Sequence, residues 1–145
     1  MLNVNINNKQ YRLFIKYAIT TCDSFSLVYE KSDIDKTKYV FQDFYDLIIK
    51  NILYKTNIGV HPETGTIFEN SDIVYYICNE QIIKALQFAD NIFDWNGSYL
   101  PEEMCFYRNQ KRWFTCICHE QLLVIYNETK EDIEFLKKNK VDFYY

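Results

Sequence analysis

The chain has 145 residues, 48% of them apolar and 25% charged, with 20 acidic against 16 basic side chains and a net charge of −4. That balance suits a globular domain and argues against disorder, because apolar side chains are dense enough to offset chain entropy. It also disfavours a nucleic-acid partner, since a phosphate backbone is repelled unless bases gather on one face, and the only basic groupings are small: Arg108, Lys111 and Arg112, then Lys137, Lys138 and Lys140.

Tyr11–Thr20 carries aromatic and β-branched residues, and its partial alternation through Tyr11, Leu13, Ile15 and Tyr17 predicts a strand. Turn residues at Thr21–Ser24 and a second run at Phe25–Glu30 complete a predicted N-terminal hairpin. Ser32 and Asp35 form a helix-start pattern, and apolar residues from Val40 to Leu53 follow helical spacing, which predicts an amphipathic helix over Lys36–Tyr54. Asn57–Asn70 contains a proline and two of the 3 glycines and reads as loop, with room for a short strand pair through Gly59-Val60 and Thr66–Phe68.

Asp72–Cys78 predicts a strand, and Asn79–Asp90 a shorter helix with Asn79 as its N-cap. Asn91–Ser98 is turn-rich. Glu103–Arg108 and Lys111–Glu120 then form a predicted hairpin around Asn109-Gln110, and Leu122–Tyr126 returns as a third strand. A capping pattern at Thr129 and Asp132, acids first and lysines last, predicts a helix over Thr129–Asn139, with a last strand at Val141–Tyr145. No repeat or linker divides the chain, so one α+β domain spanning 1–145 is expected, a mainly antiparallel sheet of about five to seven strands with about three helices packed on it.

The N-terminus lacks a charged and apolar leader pattern, no stretch reaches the roughly 18 apolar residues of a membrane span, and 5 cysteines without framework spacing suggest reduced thiols. A cytoplasmic protein without a membrane partner is expected. Glycine-rich phosphate loops and the nucleophile-elbow motif are absent, which removes most of the case for a nucleotide-binding protein or an α/β-hydrolase.

Two constellations remain. Cys116 and Cys118 share a strand face, and a two-residue turn would put Cys105 opposite Phe114 and add a third thiol to that face; with His119 this makes a metal- or thiol-dependent enzyme the alternative reading. Buried reduced cysteines are the plainer explanation, and no cofactor is expected. The other constellation is a surface of aromatics mixed with acids, Asp90, Asp94, Trp95, Tyr99, Glu102 and Glu103, which would suit a basic protein partner. A packed loop with Trp95 turned inward explains the same residues.

Pro101-Glu102, Cys105-Phe106-Tyr107, Trp113-Phe114 and His119-Glu120 together resemble small stand-alone proteins of low-GC bacteria, some of which look like immunity proteins of toxin systems. The resemblance implies a non-catalytic protein that binds and neutralises a partner. A homodimer that pairs exposed sheet edges or aromatic faces is a third reading.

Overall fold

Asn7 decides how the chain begins. Its side chain accepts the N–H of Gln10 while the Gln10 side chain accepts the N–H of Asn7, a reciprocal cap that starts α1 at Asn8–Thr21. The helix buries Tyr11, Phe14, Ile15, Ala18 and Ile19, the i, i+3, i+4, i+7, i+8 stripe of an amphipathic helix, and leaves Leu13 50% exposed. The predicted strand and N-terminal hairpin at this position are therefore corrected. Aromatic and β-branched content suggested extended chain, but the cap and the tertiary stripe outweigh local propensity.

The structure is a computed structural model that describes residues 1–30 and 38–145, with side chains at 1–30 and 42–145. The helix-start pattern at Ser32–Asp35 falls outside the described residues. Around α1 the elements run β1 (Leu2–Asn5), β2 (Ser24–Glu30), α2 (Lys38–Ile48), β3 (Ile52–Val60), β4 (Ile67–Ile77), α3 (Glu80–Leu86), β5 (Glu102–Arg108), β6 (Lys111–Ile117), β7 (Leu122–Ile125), α4 (Lys130–Lys138) and β8 (Asp142–Tyr144). The α+β class is as expected, with eight strands in a single antiparallel sheet ordered β3-β4-β2-β5-β6-β7-β1-β8.

The predicted helix over Lys36–Tyr54 ends early. A 3-10 turn at Ile49–Asn51 stops it, and Ile52–Val60 turns into strand. Asn51 is buried at the bend, its Oδ1 accepting from Asn79 Nδ2 at 2.7 Å, while Tyr54 stacks on Tyr75 across β3 and β4 with ring centroids 4.4 Å apart. The segment read as loop with a short strand pair is a long hairpin arm, and the turn itself is confined to His61–Thr66. Gly65 sits at φ 74 in that turn, a backbone region that a residue with a Cβ adopts only under strain.

Helices α1, α2, α3 and α4 contribute to one core on one side of the sheet. Phe14, Phe44, Leu86 and Leu136 from the helices join Phe106 and Phe114 from the strands in one buried cluster. Removing a fully buried Phe ring from such a cluster costs about 3–5 kcal/mol. The central strand β2 is buried on both faces: Phe25 and Leu27 belong to this core, whereas Ser26 and Val28 point to the opposite side. There Val28, Phe68 and Ile73 make a smaller cluster, and the turn of the β3–β4 arm folds back beside it. Among the described residues, no helix is long and apolar enough to cross a membrane.

Candidate functional site

The second face of the sheet carries the polar chemistry. Ser26 pairs with Cys105 and Val28 with Glu102, so Leu27 faces two residues of β5, a bulge that puts Glu103 at φ 54. A non-glycine residue held there marks a place where surrounding structure overrides backbone preference. The Glu103 side chain is fully buried, and the Thr66 hydroxyl lies 3.1 Å from each of its carboxylate oxygens. Thr64 Oγ1 donates to Thr66 Oγ1 at 3.0 Å, so two hydroxyls of the arm's turn form a relay ending on one carboxyl group.

His119, more than half exposed in the 3-10 turn after β6, closes the other side of Glu103. Its Nδ1 lies 3.5 Å from Glu103 Oε1 and its Nε2 3.7 Å from Glu120 Oε1. Burial raises the Glu103 carboxyl above the usual carboxylate range, opposed by the hydroxyls of Thr64 and Thr66 and by His119. Above this floor is an open cleft of about 530 Å³ whose walls include Glu30, Glu102, Glu120, His119, Thr66 and Ile67. Among the described residues neither lysine nor arginine lines it, and Ile67 is 79% exposed at the rim.

The turn that supplies the two threonines is tied to the sheet. Arg112 Nη1 donates to the Glu63 carbonyl, its Nε lies 3.5 Å from Glu63 Oε2, and its guanidinium sits 3.8 Å over the Tyr126 ring. Buried His61 accepts the N–H groups of Glu63 and Thr64 at Nδ1, at 3.1 and 3.3 Å, which places its proton on Nε2. Among the described residues Nε2 has no hydrogen-bond partner, and burial together with Arg112 lowers the imidazole to about 4.

The acidic-aromatic surface predicted from sequence does not hold together. Asp90, Asp94 and Tyr99 are exposed, Glu102 is half-buried, and Trp95 and Glu103 are inside. Trp95 donates from Nε1 to Tyr11 Oη at 2.9 Å and Tyr11 donates onward to the Leu86 carbonyl at 2.7 Å, so the indole is a hydrogen-bonded core ring. Asp94 is occupied as a cap, accepting the N–H groups of Asp90 and Asn91 at 2.9 and 3.0 Å. Glu102 instead lines the cleft, and Glu103 is buried behind its Thr66 and His119 walls.

Nor does the hairpin bring Cys105, Cys116, Cys118 and His119 together. Asn109 and Gln110 form the two-residue turn as expected, pairing Arg108 with Lys111, but Phe106 then pairs with Phe114 and Cys105 with Thr115. Trp113 is the extra residue, and the one-residue shift sends Cys105 to the face away from Cys116. Cys105 Sγ lies 3.8 Å from Thr115 Oγ1, whereas Cys116 and Cys118 reach the carbonyls of Ile92 and Phe93 at 3.8 and 3.2 Å. All five cysteines are free thiols, and among the described residues no three His, Cys, Asp or Glu are grouped to hold a metal ion. Burial pushes the Cys105 thiol up to about 12, and the hydrogen bond with Cys118 followed by burial raises Cys116 well above the ordinary thiol value.

Glu102 and Glu103 of the β5 bulge and His119 and Glu120 of the turn after β6, 16 or more residues apart in the chain, thus meet in space. Thr64 and Thr66, which complete the site, carry no local signal beyond turn composition. Compared with protein-family models, curated proteins and solved structures, the chain matches none.

Proposed function

We propose that this chain is a non-catalytic binding protein whose acidic cleft receives a basic segment of a protein partner. The observation that carries the reading is the convergence of Glu30, Glu102 and Glu120 on one open cleft that, among the described residues, no lysine or arginine lines, with the buried Glu103 carboxyl behind its Thr66 and His119 walls. Carboxylates arranged this way steer a cationic partner toward one place on the surface, and their effect weakens with salt. Ile67 at the rim supplies an exposed apolar contact of the kind that anchors such a segment. The net charge of −4 acts in the same direction at longer range.

The sharpest form of this reading is neutralisation of a basic toxin, in which occupancy of the partner's cationic surface is itself the activity. Purification of the tagged chain from its native host at low salt tests it. One stoichiometric basic protein, released at high salt, is the expected result. A partner without basic character, or one that resists high salt, contradicts the role of the cleft.

A further inference from the structure

The sheet has two edges, and they differ. β8 has three residues, whereas β3 has nine and is exposed over most of its length. Leu53 is 53% exposed, Tyr54 57% and Val60 56%. A long apolar edge offers unpaired backbone groups to another strand, and proteins normally cover or blunt it. Here the register with β4 shifts between Ile52 and Tyr54 and again between Ile58 and Val60, leaving Tyr54–Ile58 as a regular five-residue stretch centred on Thr56.

We infer that two copies of the chain pair antiparallel through β3 about a two-fold axis at Thr56, joining their sheets into one. A two-fold contact must be complementary to itself, and this stretch is. With Thr56 opposite Thr56, Tyr54 faces Ile58 of the second copy and Lys55 faces its Asn57. The first is an aromatic–β-branched pair of the kind that stabilises cross-strand neighbours, and it extends the Tyr54–Tyr75 stack. The second carries charge complementarity: the Asn57 amide donates to Asp72 Oδ1 at 3.3 Å, so each lysine approaches a carboxylate on the other copy. An axis one residue earlier would set Lys55 against Lys55 and is disfavoured. The axis at Thr56 turns the edge lysine, alone a device against pairing, into one that selects this register. The pairing is independent of the cleft.

Five paired residues a side make a small interface, so the dimer should be concentration-dependent. Sedimentation equilibrium from micromolar to millimolar protein tests it on the wild-type chain, on Thr56→Lys and on Thr56→Cys. The expected result is a reversible wild-type dimer that Thr56→Lys abolishes by placing two ammonium groups across the axis. Thr56→Cys reads the same contact without weakening it: opposed Cα atoms lie about 4.5–5.5 Å apart in an antiparallel pair, within the span of a disulfide, so mild oxidation should give a covalent dimer linked at position 56. The native thiols are buried or half-buried and should not compete. A wild-type chain that stays monomeric at millimolar concentration overturns the inference, including the case in which β3 serves a strand from another protein. A dimer indifferent to Thr56→Lys, with no cross-link at 56, overturns it equally.

Discussion

Arg108 and Asp132 form a two-pronged ion pair at the end of the hairpin: Nη1 lies 2.9 Å from Oδ2 and Nη2 2.9 Å from Oδ1. The carboxylate is fully buried and also accepts Tyr17 Oη at 2.7 Å, Trp113 Nε1 at 3.1 Å and the Thr129 N–H that starts α4 at 2.9 Å. One side chain therefore ties α1, the β5–β6 hairpin and α4 together. Burial alone would raise the Asp132 carboxyl, but Arg108 and these hydrogen bonds hold it below the usual value. Because the folded-state value is depressed, the stabilisation is present above the unfolded value of about 3.9 and is lost as pH falls through the folded one. Asp132→Ala leaves a guanidinium unpaired in a mostly buried site and should cost about 3–5 kcal/mol in urea unfolding. A loss under 1 kcal/mol would show that solvent replaces the carboxylate.

His61 predicts a second pH dependence. Its imidazole is lowered to about 4 in the folded chain, against about 6.5 when unfolded, so between these values the unfolded state binds more protons. Stability should fall as pH drops through that window, by roughly 3 kcal/mol from this residue. His61→Asn retains an acceptor for the Glu63 and Thr64 N–H groups and removes the titration. Its unfolding free energy should vary less between pH 7 and pH 4 than that of the wild type; an unchanged slope would assign the effect elsewhere.

Glu103 works in the opposite sense. Its carboxyl is raised by burial, so its contribution is fully present below the unfolded value and is lost as pH rises through the folded one. Ionising this buried group is therefore a cost, and Glu103→Gln should gain stability over the wild type as pH rises through the folded value, with the difference closing toward pH 4. Equal stability across that range would mean that the Thr66 hydroxyl and His119 already offset the burial of charge.

The hairpin turn offers a gain. Asn109 and Gln110 have φ of 49 and 63, the two positive values that a type I′ turn requires, and glycine is the favoured second residue there. Gln110→Gly relieves a left-handed side-chain residue at the cost of extra freedom in the unfolded chain, for a net gain of roughly 0.5–1 kcal/mol. Thermal unfolding reads it directly, and a lower melting temperature would contradict the assignment of strain to this position.

How much of this was legible in the sequence follows from how local each cause is. The caps at Asn79 and Thr129 act within three residues, and both helices start where the side chains indicate. α1 was missed although Asn7 and Gln10 carry a readable cap, because Tyr11, Leu13, Ile15 and Tyr17 imitate alternation; the buried set replaces Leu13 and Tyr17 with Phe14 and Ala18. The hairpin was legible in position but not in register, since the extra residue Trp113 is chosen by packing against Phe14 and a hydrogen bond to Asp132 from outside the hairpin. The cleft was least legible. Glu103 reads as a solvated acid, and only the β5 bulge and the distant Thr64–Thr66 turn make it a buried one.

On the proposed function, the cleft rather than the segment around Asp90 meets a basic partner. The most direct measurement is capture from native-host lysate at low salt with three baits: wild type, Glu120→Lys at the cleft and Asp90→Lys outside it. Both replaced residues are exposed, so both variants should fold. The cleft predicts that wild type and Asp90→Lys retain the same basic protein while Glu120→Lys loses most of it. Loss with Asp90→Lys and retention with Glu120→Lys would contradict it.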